Sequence, residues 1–88
     1  MGFRWAGSVD KHGILREDAL YAMSHAVATA QIQGRPNEVV TVYVGHPHGQ
    51  TERLIEVIVA ASPPPNLLIF HVMDLSDAFR HLVAGEDE

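Results

Sequence analysis

The chain has 88 residues, 47% of them hydrophobic, no cysteine, and a formal net charge of −5. That length makes one domain, with about 60–65% of the unfolded surface buried on folding and no disulfide to reinforce it. The acidic balance argues against strong, non-specific nucleic-acid binding, which needs a basic face. No apolar run approaches the ~20 residues of a membrane span.

Phe3-Arg4-Trp5 suits a short first strand or an aromatic anchor on the core. Ser8 is a candidate N-cap for a short helix over residues 9–12, with Gly13 as its stop. The main helix is expected over 16–27: Leu20, Met23 and Val27 recur at helical spacing, with Ala19, Ala26 and Ala30 beside them. Glu17 and Asp18 occupy its first turn, where carboxylates suit the helix dipole. Residues 29–32 read as a strand ending in the turn-rich stretch 33–37. Residues 39–44 are β-branched and aromatic, a second strand. After a turn at 45–50, residues 53–61 place Leu54, Glu56 and Ile58 on one face and Ile55, Val57 and Val59 on the other. Three prolines at 63–65 mark a rigid turn. Residues 67–72 form the last strand, and Asp74 or Ser76 caps a helix over 77–83 that Gly85 ends.

The expected fold is therefore α+β. A small antiparallel sheet, a meander of three to four strands, packs against two N-terminal helices and carries a short C-terminal helix. One domain spans 1–85, and 86–88 form an acidic tail. With no apolar leader in the first seven residues, a cytoplasmic location is expected.

Three stretches occur in order along nearly the whole chain: Lys11-His12-Gly13-Ile14, then Gly45 through Leu54-Ile55-Glu56-Val57, then His71-Val72-Met73 leading to Phe79. In these the chain resembles the BrnT-like toxins of bacterial toxin–antitoxin pairs, relatives of the RelE-type ribonuclease fold. The resemblance implies a small sheet packed on two helices, RNA cleavage or translation block, and a cognate antitoxin protein that masks the site. It implies no metal or organic cofactor. Where the family pattern has an arginine and a lysine after its His-x-Met, this chain has Ser76 and Ala78, with Asp74 and Asp77 close by.

RNA cleavage without a metal needs a group to take the 2′-hydroxyl proton, a group to protonate the leaving oxygen, and a cation facing the phosphate. Glu56 and His71 are the acid–base candidates, because a hairpin folded about Pro64 sets Glu56 opposite residue 72. Arg53 and Arg80 are the candidate catalytic cations, and Lys11, His12 and His48 the candidate RNA contacts. Each has a plainer reading. Glu56 and His71 also make a structural hydrogen-bonded pair, Lys11 and His12 suit a helix C-terminus, and His46-Pro47-His48 suits an exposed turn. A zinc site there wants three or four ligands, leaving His25, Glu52 or a second subunit to complete it; no metal ligand is assigned.

Two functions stay open, and a histidine-based metal binder is a third, lesser one. One is a toxin-like endoribonuclease acting on mRNA or ribosome-associated RNA and neutralised by its antitoxin. The other is a non-catalytic protein-binding or oligomerisation module on the same fold, favoured by the acidic balance and the two missing cations. A small domain without cross-links gains stability from a partner, so a homo-oligomer suits either.

Overall fold

The computed structural model describes residues 3–61 and 66–84; the proline turn, Gly85 and the acidic tail lie outside the described residues. The strands are β1 (Phe3–Trp5), β2 (Ala28–Ile32), β3 (Val39–Gly45), β4 (Ile55–Ala61) and β5 (Leu67–Asp74). They form one sheet in the order β1-β5-β4-β3-β2. From β2 to β5 each strand is antiparallel to the next, whereas β1 lies parallel to β5, with Trp5 opposite Ile69. The sheet is thus mixed and five-stranded, larger than the expected meander of three to four. The added pairing joins Phe3 to Leu67, a contact between distant parts of the chain that leaves no local pattern.

β4 is central and buried on both faces, which is why its sequence is almost continuously apolar. On one face, Ile55, Val57 and Val59 pack with Ile69 and Val72 under Val9, Ile14, Ala19 and Ala22. On the other, Ile58 and Ala60 join Val40, Val42 and Val44 beneath Leu75, Phe79, Leu82 and Val83.

The helical layer departs from the expected pair of N-terminal helices. The first segment is a 3-10 helix, Gly7–His12, closed by Gly13 in the left-handed region at φ 73°. Its N-cap is Ala6, not Ser8; the Ser8 hydroxyl instead donates to the Phe70 carbonyl at 3.1 Å. The α-helix α1 covers Arg16–Ser24 and stops short of Val27, because the Val27 amide donates to the Val44 carbonyl at 2.8 Å and commits the chain to the sheet. Its buried face is Ala19 and Ala22, while Leu20 and Val27 stay 40% and 43% exposed. Small side chains let α1 lie close against β3: a Cβ on Gly45 would stand 2.5 Å from the Ala22 carbonyl oxygen. At the other end, residues 77–80 are turns, and only His81–Ala84 form α2. β4 begins at Ile55 rather than Arg53, and β5 runs two residues past Val72.

One irregularity decides the site. Ile58 pairs with His71 but Val59 pairs with Ile69, so Phe70 is an extra residue in β5. Strict alternation from Ile69 would turn His71 to the α1 side. The bulge puts Phe70 and His71 on the other face together, the re-aiming such insertions produce. It also moves the register, so that Met73, not residue 72, faces Glu56.

Candidate active site

Glu56 sits mid-sheet on the face away from α1, between Val44 of β3 and Met73 of β5. It is 2% exposed, the one buried charged side chain among the described residues. A carboxylate in such a place needs partners, and it has three. His71 Nε2 lies 2.8 Å from Oε2, and the Ser76 amide and hydroxyl donate to Oε1 at 2.7 and 2.8 Å. A backbone N–H can only donate, so Oε1 is an acceptor here. No buried side-chain polar atom among the described residues lacks a partner.

Ser76 arrives there because the ladder continues one step beyond β5. The Leu75 amide donates to the Leu54 carbonyl at 3.0 Å, after which the chain turns over Glu56. The Ser76 carbonyl then accepts from the Phe79 amide at 3.2 Å and starts the turns leading to α2. Glu56 therefore ties the C-terminal cover to the central strand.

His71 differs from Glu56 in being reachable from solvent: its side chain is 31% exposed. With a proton on Nε2 shared toward the carboxylate, the neutral ring carries its lone pair on Nδ1. Nδ1 makes no hydrogen bond among the described residues. A second imidazole stands beside it. The His12 ring meets the His71 ring edge-on, with centroids 6.3 Å apart and planes at 63°. The 3-10 helix is pinned there because β1 ends at Trp5. Beyond that point the outer edge of β5 is open, and the Ala6 amide and Ser8 hydroxyl bond to the Ile69 and Phe70 carbonyls. Lys11 is exposed next to His12. Asp10, on the same segment, is engaged by Arg16 at 2.9 Å, and Arg16 also lies over the Trp5 ring at 5.2 Å.

The remaining candidates lie elsewhere. Arg53 Nε donates to Asp74 Oδ1 at 2.7 Å, and Arg80 Nε donates to Asp77 Oδ1 at 3.1 Å. Neither arginine bonds to Glu56 or His71. His48 is exposed and its Nδ1 accepts from the Gln50 amide at 3.3 Å, while His46 Nδ1 pairs with the Arg53 carbonyl at 2.8 Å. The two turn histidines thus serve their own loop separately. Among the described residues no group of three or more His, Asp or Glu is placed to hold a metal. A groove lined by Leu20, Met23, Ser24, Tyr43 and Leu67 lies on the α1 side of the sheet, and no carboxylate, imidazole or cation lines it.

The structure brings Glu56 and His71, expected as the acid–base pair, beside His12, expected as an RNA contact, whereas Ser76 as a donor to Glu56 was not foreseen. The available signal was a serine opening a helical turn, whose first amides have no partner within the turn, beside a glutamate destined for burial. No helix among the described residues is long and apolar enough to cross a membrane. Comparisons with protein-family models, with curated proteins and with solved structures find no match to this chain.

Proposed function

We propose that the protein is a toxin-like endoribonuclease that cleaves RNA without a metal, acting on mRNA or ribosome-associated RNA, and that a cognate antitoxin protein neutralises it. The observation that carries this reading is the half-open dyad: a buried Glu56, bonded on both oxygens, holding a His71 whose other nitrogen has no partner among the described residues. Burying an ionised group costs several kcal/mol, and an exposed carboxylate would serve equally well as a simple surface partner for histidine. What burial adds is a fixed ring orientation and a fixed tautomer, the requirements of a general base. His71 takes the 2′-hydroxyl proton; Glu56 is a positioning residue that stabilises the imidazolium so formed. The ordered resemblance to BrnT-like toxins supports the same class. Lys11 is the cation nearest in sequence to the paired imidazoles, whereas Arg53 and Arg80 already face aspartates.

The test is cleavage of a mixed RNA pool by purified protein in excess chelator, with His71→Ala as the control. Metal-independent cleavage that the substitution abolishes is expected. No cleavage of any RNA, together with no growth arrest on expression, removes the reading.

A non-catalytic binding module is favoured by a different observation. Leu15, Leu20 and Val27 are exposed on or beside α1, and Leu20 lines the apolar groove. On this second reading the α1 side docks a protein and the dyad only anchors the C-terminal segment. A chain that stays monomeric at high concentration and binds no antitoxin encoded beside it would count against it.

A further inference from the structure

We infer, on the ribonuclease reading above, that His12 is the second proton-transfer group of the His71 site, and that the substrate is therefore a single-stranded RNA phosphodiester whose cleavage leaves a 2′,3′-cyclic phosphate. Two groups that each hydrogen-bond one phosphodiester over about 2.8 Å stand roughly 5–7 Å apart. The two rings meet that spacing, with centroids 6.3 Å apart. Their surroundings also assign different roles. His71 has a carboxylate on Nε2 and no partner on Nδ1 among the described residues, so it begins as the base. His12 has no carboxylate partner among the described residues, is exposed, and follows Lys11, so it begins as the acid. Glu56 on β4 is bonded to His71, and on the 3-10 helix Asp10 and Lys11 precede His12 in sequence, with Asp10 turned to Arg16.

The step balances without a co-reactant. His71 Nδ1 removes the 2′-hydroxyl proton, the 2′-oxygen forms a bond to phosphorus, and the bond from phosphorus to the 5′-oxygen breaks. His12 gives its proton to that departing oxygen. The products are a cyclic phosphate and a free 5′-hydroxyl, and exchange with water returns each imidazole to its starting form. The 2′-oxygen must come into line behind the leaving oxygen, which A-form pairing prevents; this selects unpaired RNA.

The experiment uses a short RNA with one ribonucleotide in a deoxy background, its all-deoxy counterpart, and a uridine 3′-phosphate ester of nitrophenol. Nitrophenolate leaves without a proton. His12→Ala should lower kcat on the RNA roughly 10²–10³-fold with little change in KM, and cleave the activated ester at near the wild-type rate. His71→Ala should lose both substrates, and the all-deoxy strand should resist every variant. Circular dichroism checks folding, and because His12 is exposed its removal should leave the spectrum unchanged. Equal cleavage of RNA by His12→Ala and wild type overturns the inference and leaves the ribonuclease reading standing. So does failure of the activated ester to rescue His12→Ala. Wild-type protein that cleaves neither substrate overturns both.

Discussion

Glu56 carries the heaviest structural demand in the chain, and two substitutions separate its roles. Glu56→Ala removes a buried carboxylate that accepts from His71 Nε2, the Ser76 amide and the Ser76 hydroxyl. Hydrogen bonds to a charged group contribute about 1.5–3 kcal/mol each. Offsetting them is the desolvation of the carboxylate, several kcal/mol, which disappears with the charge. The half-buried Ser76 and His71 also recover part of their bonding from water. The expected net loss is about 3 kcal/mol, within the 3–5 kcal/mol typical of breaking a buried pair. Against a total of roughly 4–13 kcal/mol for 88 residues, that is a large fraction. Glu56→Gln keeps the shape and the acceptor for Ser76 but presents an amide N–H₂ to His71. The ring must then accept at Nε2 and carry its proton on Nδ1, so on the proposed ribonuclease reading it can no longer act as a base there. This variant should lose only about 1 kcal/mol while kcat falls roughly 10²–10⁴-fold and KM holds. Urea unfolding measures the first quantity, RNA cleavage the second, and imidazole nitrogen shifts report the tautomer directly. A Glu56→Ala loss under about 0.5 kcal/mol, well below what an unsatisfied buried donor costs, would refute the buried network. A Glu56→Gln variant with the wild-type rate would refute the positioning role.

Arg53→Ala and Arg80→Ala remove exposed ion pairs, worth under about 1 kcal/mol each; urea midpoints should barely move, and cleavage rates should stay within a few-fold of wild type. Gly45→Ala places a methyl group 2.5 Å from the Ala22 carbonyl. Separating β3 from α1 should cost about 1–3 kcal/mol, visible as a lower melting temperature. Ile69→Ala empties a side chain that is 0% exposed, and a loss of about 2–5 kcal/mol is expected. Leu20→Lys, on a half-exposed position beside the groove, should leave stability within about 0.5 kcal/mol yet weaken any antitoxin complex that docks on the α1 side, read by titration calorimetry.

The strands were legible because their signals are local. Alternation in residues 53–61 assigns both faces of β4 correctly, and the β-branched run 39–44 marks β3. The helices were less so. The Leu20–Met23–Val27 spacing suggests a buried apolar stripe, but α1 needed a close approach to β3, which only Ala19 and Ala22 allow. Helical spacing reports which residues share a face; it does not report how near the neighbouring backbone lies, and here that distance decided which face turned inward. The site shows the same division. Folding residues 53–72 about the prolines brings Glu56 near His71, and a sequence can say that much. Which way His71 points depends on one extra residue, Phe70, and an unbroken run of apolar side chains gives no sign of it. Without that bulge the imidazole would lie on the α1 side and the carboxylate would have only Ser76. The second imidazole depends on a longer-range event still, the parallel docking of β1, which ends at Trp5 and leaves the β5 edge open to the 3-10 helix. The dyad is thus a product of local register and the imidazole pair a product of topology, and a change that loosens β1 should separate His12 from His71 while leaving the Glu56–His71 bond in place.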